Sequence, residues 1–235
     1  MEEYLLIIII VLLIYLISKT KSNYCSYCLL LTTTVNKSKE RLEQYQKSID
    51  SWLDKSNLDL FIVESSNFVF DKYKNNKRVH QFSFKPTIKT NRPDLISTGQ
   101  LESESILKAV DHFKEKMKNY NTIIKLTGKY FIPNFEKITK KLPLSDLYIQ
   151  KRDTWEKCVA SEIFGFKKSL TKNIFTDLAH TIRENKEAPN GYENIEFYLR
   201  RFVNEHPNYK VYQFPTLKLG WSIYRCGAED FVVKL

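Results

Sequence analysis

The sequence lacks the glycine patterns that mark the common nucleotide loops. It has only six glycines in 235 residues, and neither G-x-x-x-x-G-K-[ST] nor G-x-G-x-x-G occurs, so the P-loop and Rossmann dinucleotide readings lose support. Cysteine is scarce as well: Cys25, Cys28, Cys158 and Cys226. Cys25 and Cys28 form one C-x-x-C, whereas a zinc site generally pairs two such spacings. A thioredoxin-like pair would follow a strand and open a helix; this one precedes a strand. His80, His112, His180 and His206 show no ligand-like spacing. The cysteines are therefore read as structural, and nothing demands an oxidising compartment. No internal repeat is present, and no low-complexity segment apart from one apolar run.

A continuous basic stripe is also missing. The formal net charge is +10, which favours phosphorylated or polyanionic partners. The cations are dispersed, however, and "KKSLTK" and "KNNKR" are short clusters. This argues for a lysine-rich solvated surface and against nucleic-acid binding. With aromatics at 14% and charged residues at 27%, the bulk of the chain can bury a core and is not a disordered tail.

The apolar run is "YLLIIIIVLLIYLI", Tyr4 to Ile17. At about 1.5 Å per residue it falls short of a hydrocarbon core of ~30 Å, and Ser18, Thr20 and a snorkelling Lys19 extend it. A signal peptide would begin with positive charge, but Glu2 and Glu3 stand here. The expectation is a single membrane anchor over residues 1–22, followed by one domain over 23–235. Lys19 and Lys21 follow the run and no cation precedes it, which places the domain on the cytoplasmic side of a single-pass membrane protein.

Along the domain, buried runs alternate with amphipathic stretches. Strands are predicted in "YCLLLTTTVN", "LDLFIVESSN", "RVHQFSF", "TIIKLTG", "DLYIQ", "CVASEIFGF", "YKVYQF" and "WSIYR". Helices are predicted over 37–56, 99–120, 132–142, 167–185 and 191–205, with stripes such as Leu42, Tyr45, Ile49, Trp52 and Leu53. This order means an α/β fold with a mainly parallel mixed sheet flanked by helices. Ligands on such sheets bind beyond the C-terminal strand ends. Three of those ends are rich in polar groups: Thr32, Thr33, Thr34 and Asn36; Glu64, Ser65, Ser66 and Asn67; and Lys125, Thr127, Gly128 and Lys129.

The third end, "KLTGKY", suits a phosphate-bearing ligand. Gly128 allows a sharp turn or close backbone approach, Lys125 and Lys129 supply cations, and Tyr130 either stacks on a base or sugar or simply packs. Glu64 either accepts hydrogen bonds from a base or ribose or caps the turn after its strand.

"LLLTTTVN", "FIVESSN", "GQLESESI", "IIKLTGKYFIPNF", "SEIFGF" and "ENIEFYLRRF" together resemble a group of GT-A-like glycosyltransferases, nucleotide-diphospho-sugar transferases of bacteria and large DNA viruses. The likeness covers most of residues 27–205. It implies a GT-A-like catalytic domain with a nucleotide-diphosphate-sugar donor across the strand ends, held by Thr33, Thr34, Glu64, Lys125, Thr127, Gly128, Lys129 and Tyr130. The acceptor would be a glycan, lipid or protein hydroxyl. Many such enzymes carry D-x-D to hold Mg²⁺ or Mn²⁺ on the diphosphate. None occurs here, and the corresponding place reads Leu126-Thr127-Gly128. The expectation is metal-independent donor binding with no required cofactor and the lysines as fixed cations. Glu102 and Glu104 are read as carboxylates at a helix N-terminus. An inverting transfer needs a base beside the acceptor hydroxyl. Glu196 is the first candidate, against an i,i+4 pair with Arg200. Glu193 is second and Glu162 third, with binding of the donor or acceptor as the alternative role for Glu162. The competing reading is a non-catalytic, membrane-tethered protein that binds nucleotide sugars or glycans.

Overall fold

The computed structural model describes residues 26–87, 89–92, 95, 97–151, 159–188 and 191–214, together with residues 4, 6–13 and 15. In chain order the elements are β1 Tyr27–Thr33, α1 Lys39–Lys55, β2 Leu60–Glu64, β3 Val79–Ser83, α2 Thr98–His112, β4 Thr122–Thr127, α3 Phe135–Thr139, β5 Leu147–Lys151, β6 Val159–Lys167, α4 Thr171–His180, α5 Ile195–Glu205 and β7 Val211–Gln213.

The helices start where side chains satisfy the first free amides. Ser38 accepts from Arg41 N ahead of α1, Ser97 and Gln100 form a reciprocal capping box on α2, and Asn194 accepts from Phe197 N at 3.2 Å ahead of α5. One sheet runs β3-β2-β1-β4-β6-β5-β7. β3, β2, β1 and β4 are mutually parallel. β6 is antiparallel to both β4 and β5, and β7 lies parallel to β5. The α/β class and the mainly parallel mixed sheet thus match the sequence reading.

Both faces are covered, which is why the central strands are apolar throughout. Successive side chains alternate between faces. Leu29, Leu31, Ile124 and Leu126 pack with Tyr45, Ile49 and Trp52 of α1 and Phe135 of α3. Leu30, Phe61, Val63 and Ile123 pack with α2, α4 and α5 through Ile106, Phe175 and Leu199. Cys28 is buried in this second core; Cys25, Cys158 and Cys226 lie outside the described residues.

Some expected elements differ. The helix predicted over 167–185 is a short 3₁₀ turn followed by α4, which stops at His180. The chain turns extended at the C-cap Thr181, and the Asn91 amide bonds both Ile182 N and Ile182 O just beyond it. The helix predicted over 132–142 shrinks to α3, because Asn134 takes a left-handed conformation just before it. "WSIYR" lies outside the described residues. So does part of the expected anchor. Residues 4, 6–13 and 15 are helical, with side chains from 45% exposed at Ile9 to 75% at Tyr4. No helix among the described residues is long and apolar enough to cross a membrane.

Candidate functional site

The chain leaves β1 through α1 to β2 on one side and later returns as β4 on the other. The sheet's order therefore reverses between β1 and β4, and the crevice beyond their C-terminal ends is the position where open α/β sheets take ligands. Thr32, Thr33, Lys125, Thr127 and Gly128 all stand there.

Lys125 is the organising residue. It shares a sheet face with Ile123, so its side chain is driven into the core, and it is 0% exposed. A buried ammonium persists only if its charge and its three N–H groups are met. Here they are: the carboxylate of Glu102 on α2, Thr127 Oγ1 at 3.2 Å and the carbonyl of Ser161 on β6 at 2.5 Å. The Phe164 ring centre lies 5.1 Å away. Glu102 also accepts from Thr32 Oγ1 at 3.0 Å, and Ser161 Oγ donates to Glu196 Oε1 at 2.7 Å. A continuous polar chain thus links β1, α2, β4, β6 and α5. It ends on Glu196, half-buried in the first turn of α5. Glu162, beside Ser161 on β6, is half-buried too. The α2 and α5 N-termini converge on this chain, for a Cβ on Gly99 would lie 3.1 Å from Ile195 N.

Lys125 therefore differs from its expected role. Its three donors are filled by the protein, so it anchors the crevice from below and presents no N–H to a diphosphate. Glu102, read from sequence as a helix-terminal carboxylate, is its counterion. Gly128 also acts differently from expectation. Its amide donates to Thr32 O at 2.8 Å, and an added Cβ would fall 2.4 Å from Thr33 Cγ2 and 3.0 Å from Thr32 O. The glycine allows β1 and β4 to close on each other. Tyr130 packs in the core, and its carbonyl accepts from Ser48 Oγ at 2.7 Å and Trp52 Nε1 at 3.0 Å. Lys129 is half-buried, with its ammonium 5.1 Å from the Tyr130 ring centre.

A second network lies beneath the β1 and β2 ends. Buried Glu64 accepts from Val35 N and Ser66 N, both at 2.9 Å, from Phe68 N at 2.7 Å and from Ser66 Oγ at 2.5 Å. These contacts occupy both oxygens, so the carboxylate caps the turn and ties it to the β1–α1 loop. Thr33 Oγ1 donates to Val63 O, and Thr34 Oγ1 meets Ser65 Oγ at 2.6 Å. Arg41 reaches back to Thr34 O at 3.3 Å.

Two of the candidate carboxylates at the other wall, Glu193 and Glu196, have different partners. Glu193 is buried in a bidentate pair with Arg201, at 2.8 and 2.9 Å. Those bonds raise the Arg201 pKa above its ordinary value, against the opposing effect of burial. Glu196 accepts from the Ser161 hydroxyl. Sequence reasoning missed Glu102 as a partner, and Ser161 altogether. Among the described residues, no three His, Cys, Asp or Glu side chains cluster as a metal set, and Leu126-Thr127-Gly128 offers one hydroxyl where paired carboxylates would stand.

No protein-family profile and no curated relative matches the chain. Among solved structures, a Desulfovibrio desulfuricans G20 protein assigned as a nucleotide-diphospho-sugar transferase aligns at 13% identity, over 82% of this chain and 80% of its own, with a TM-score of 0.47. A glycosyltransferase involved in the glycosylation of the major capsid of PBCV-1 aligns at 9% identity, over 80% and 81%, at 0.48. The glycosyltransferase GlyE of Streptococcus pneumoniae TIGR4 aligns at 10% identity, over 82% of this chain and 45% of its own, at 0.49.

Proposed function

We propose that this protein is a glycosyltransferase that moves a sugar from a nucleotide-diphosphate-sugar donor to a hydroxyl acceptor. The observation that carries this reading is the polar chain from Thr32 through Glu102, Lys125 and Ser161 to Glu196. It runs from the crevice where such sheets bind ligands to a carboxylate at the rim. In this reading the donor lies across the ends of β1 and β4. Glu196 takes the proton of the acceptor hydroxyl as its oxygen attacks the anomeric carbon. The bond from that carbon to the diphosphate breaks, and the nucleoside diphosphate leaves with the electron pair. Ser161 holds the base in position.

The Lys125 charge is balanced by Glu102, so Lys129 is the cation proposed for the diphosphate, aided by the convergent helix N-termini. Among the described residues no carboxylate set stands ready for a metal, and the proposed step runs through none. The apolar run from Tyr4 is proposed as a tether that places the domain at the cytoplasmic face of a membrane; its exposed side chains support that assignment.

Incubation with UDP-, GDP- and CMP-sugars, with and without Mn²⁺, tests the reading. The expected result is donor turnover that survives chelation and is lost in Glu196→Gln with binding retained. Saturable donor binding without turnover would identify a non-catalytic binding protein. If no donor bound, the reading would fall.

A further inference from the structure

The end of the sheet opposite the crevice has its own character. The parallel strands begin there, and exposed lysines mark the described connections and helix ends around it: Lys55, Lys77, Lys118, Lys141 and Lys172. Asp71 and Glu115 are exposed in the same connections, while three other acidic residues of this end accept hydrogen bonds. Asp59 accepts from Tyr120 OH at 3.3 Å, Glu136 from Asn57 N at 3.3 Å and Asp146 from Lys210 N at 2.9 Å. In the connection before β4, for instance, Lys114, Lys116 and Lys118 are exposed against Glu115, so the outward face of this end is net cationic.

A groove of about 370 Å³ opens here. Lys55, Lys137, Lys140 and Lys141 line it, over the rings of Phe131 and Phe135. It adjoins the first residues of the domain. Tyr27 stacks edge-on against Phe135 and accepts from Thr139 Oγ1. On the other flank Ser26 Oγ donates to Asn119 O, and Ser26 O accepts from Asn121 N. The chain thus passes from the exposed apolar helix into the middle of this lysine-bearing end.

We propose that this end is a docking surface for an anionic phospholipid bilayer, with the lysine groove taking phosphate-bearing headgroups. Three observations converge: an excess of exposed lysines over exposed acids, an aromatic floor suited to the headgroup level, and the point where the apolar run joins the domain. The arrangement turns the crevice away from the bilayer. The proposal is independent of the chemistry assigned to the crevice and relies on the tether only to bring the lysines to the surface.

The test titrates the full-length protein with vesicles of phosphatidylcholine alone and of an equimolar mixture with phosphatidylserine. A lysine near an anionic leaflet contributes about fivefold to partition, so the mixed vesicles should bind at least about tenfold more tightly, with the gain shrinking in salt. The combined variant Lys55→Glu, Lys137→Glu, Lys140→Glu, Lys141→Glu should lose this gain and keep its melting temperature, because all four side chains are exposed. Reversal of Lys39 and Lys85, at the crevice end, should leave the gain in place. A gain that appears without binding to neutral vesicles still supports the surface and refutes only the tether. The proposal is overturned if phosphatidylserine has no effect, or if both sets of reversals act alike. It is equally overturned if the groove variant keeps its dependence on phosphatidylserine.

Discussion

Replacing Lys125 by Met tests whether the crevice rests on a buried ion pair. The thioether fills most of the lysine volume, so the main loss is the charge and its three contacts. Breaking a buried pair by removing one partner costs about 3–5 kcal/mol. The Glu102 side chain is 19% exposed and keeps its bond from Thr32, so water can relieve part of the stranded charge and the lower figure applies, about 3 kcal/mol. For a domain of this size that is a fall in melting temperature of about 6–12 °C. Glu102→Gln should cost more, about 5 kcal/mol, since the ammonium it abandons is wholly enclosed. The double variant Lys125→Met/Glu102→Gln buries no charge and still gives Thr32 an acceptor. It should be more stable than the sum of the singles by about 2 kcal/mol, well outside the roughly 0.5 kcal/mol expected of independent sites. Urea titration of the four proteins measures the cycle. A cost below about 1 kcal/mol for Lys125→Met, or additive singles, would refute the burial and pairing of this lysine.

Gly128→Ala places a methyl group 2.4 Å from Thr33 Cγ2 and should destabilise by about 1–3 kcal/mol, the range for overpacking; a melt at parental temperature would show that β1 and β4 do not close so tightly. Lys129→Ala should weaken donor binding about tenfold to a hundredfold with little change in stability, as read by calorimetric titration; unchanged affinity would remove Lys129 from the diphosphate site. The pKa of His80 lies below its ordinary value of 6.5 because of burial, then the nearby Lys116, with Asp59 opposing. The unfolded chain therefore takes up this proton first, and stability should decline as pH falls below about 6.5. In chemical denaturation across that window His80→Gln should show a shallower decline, and an identical slope would exclude this residue as the cause.

The parallel half of the fold was legible because strands covered on both faces must be apolar throughout, as "CLLL" and "LFIV" are. The helix starts predicted at 37 and 99 fall close to the observed caps Ser38 and Ser97, whereas the start predicted at 191 precedes the Asn194 cap by three residues. Partnerships across elements were not legible. Lys125 falls on the same face as Ile123 in an apolar strand, which shows that its ammonium needs a partner but not which one. Glu102 answers only because α2 crosses the sheet with its N-terminus over β4, and spacing does not fix that crossing. Local spacing also suggested a pair between Glu196 and Arg200. Instead Arg201 reaches back to Glu193, which precedes the helix cap and so is not bound by the helical repeat. That pairing separates Glu193 from Glu196, a distinction the sequence left open.

Glu64 makes three of its bonds to main-chain amides, those of Val35, Ser66 and Phe68. A carboxylate that recognises backbone is indifferent to the side chains its partners carry. Substitutions at Val35 and Phe68 can therefore leave these bonds in place, whereas deleting a single residue between positions 34 and 38 or between 65 and 68 shifts an amide out of reach. In these two loops the conserved quantity across diverging relatives should be length rather than identity, with the acid at position 64 as the fixed point against which that length is measured.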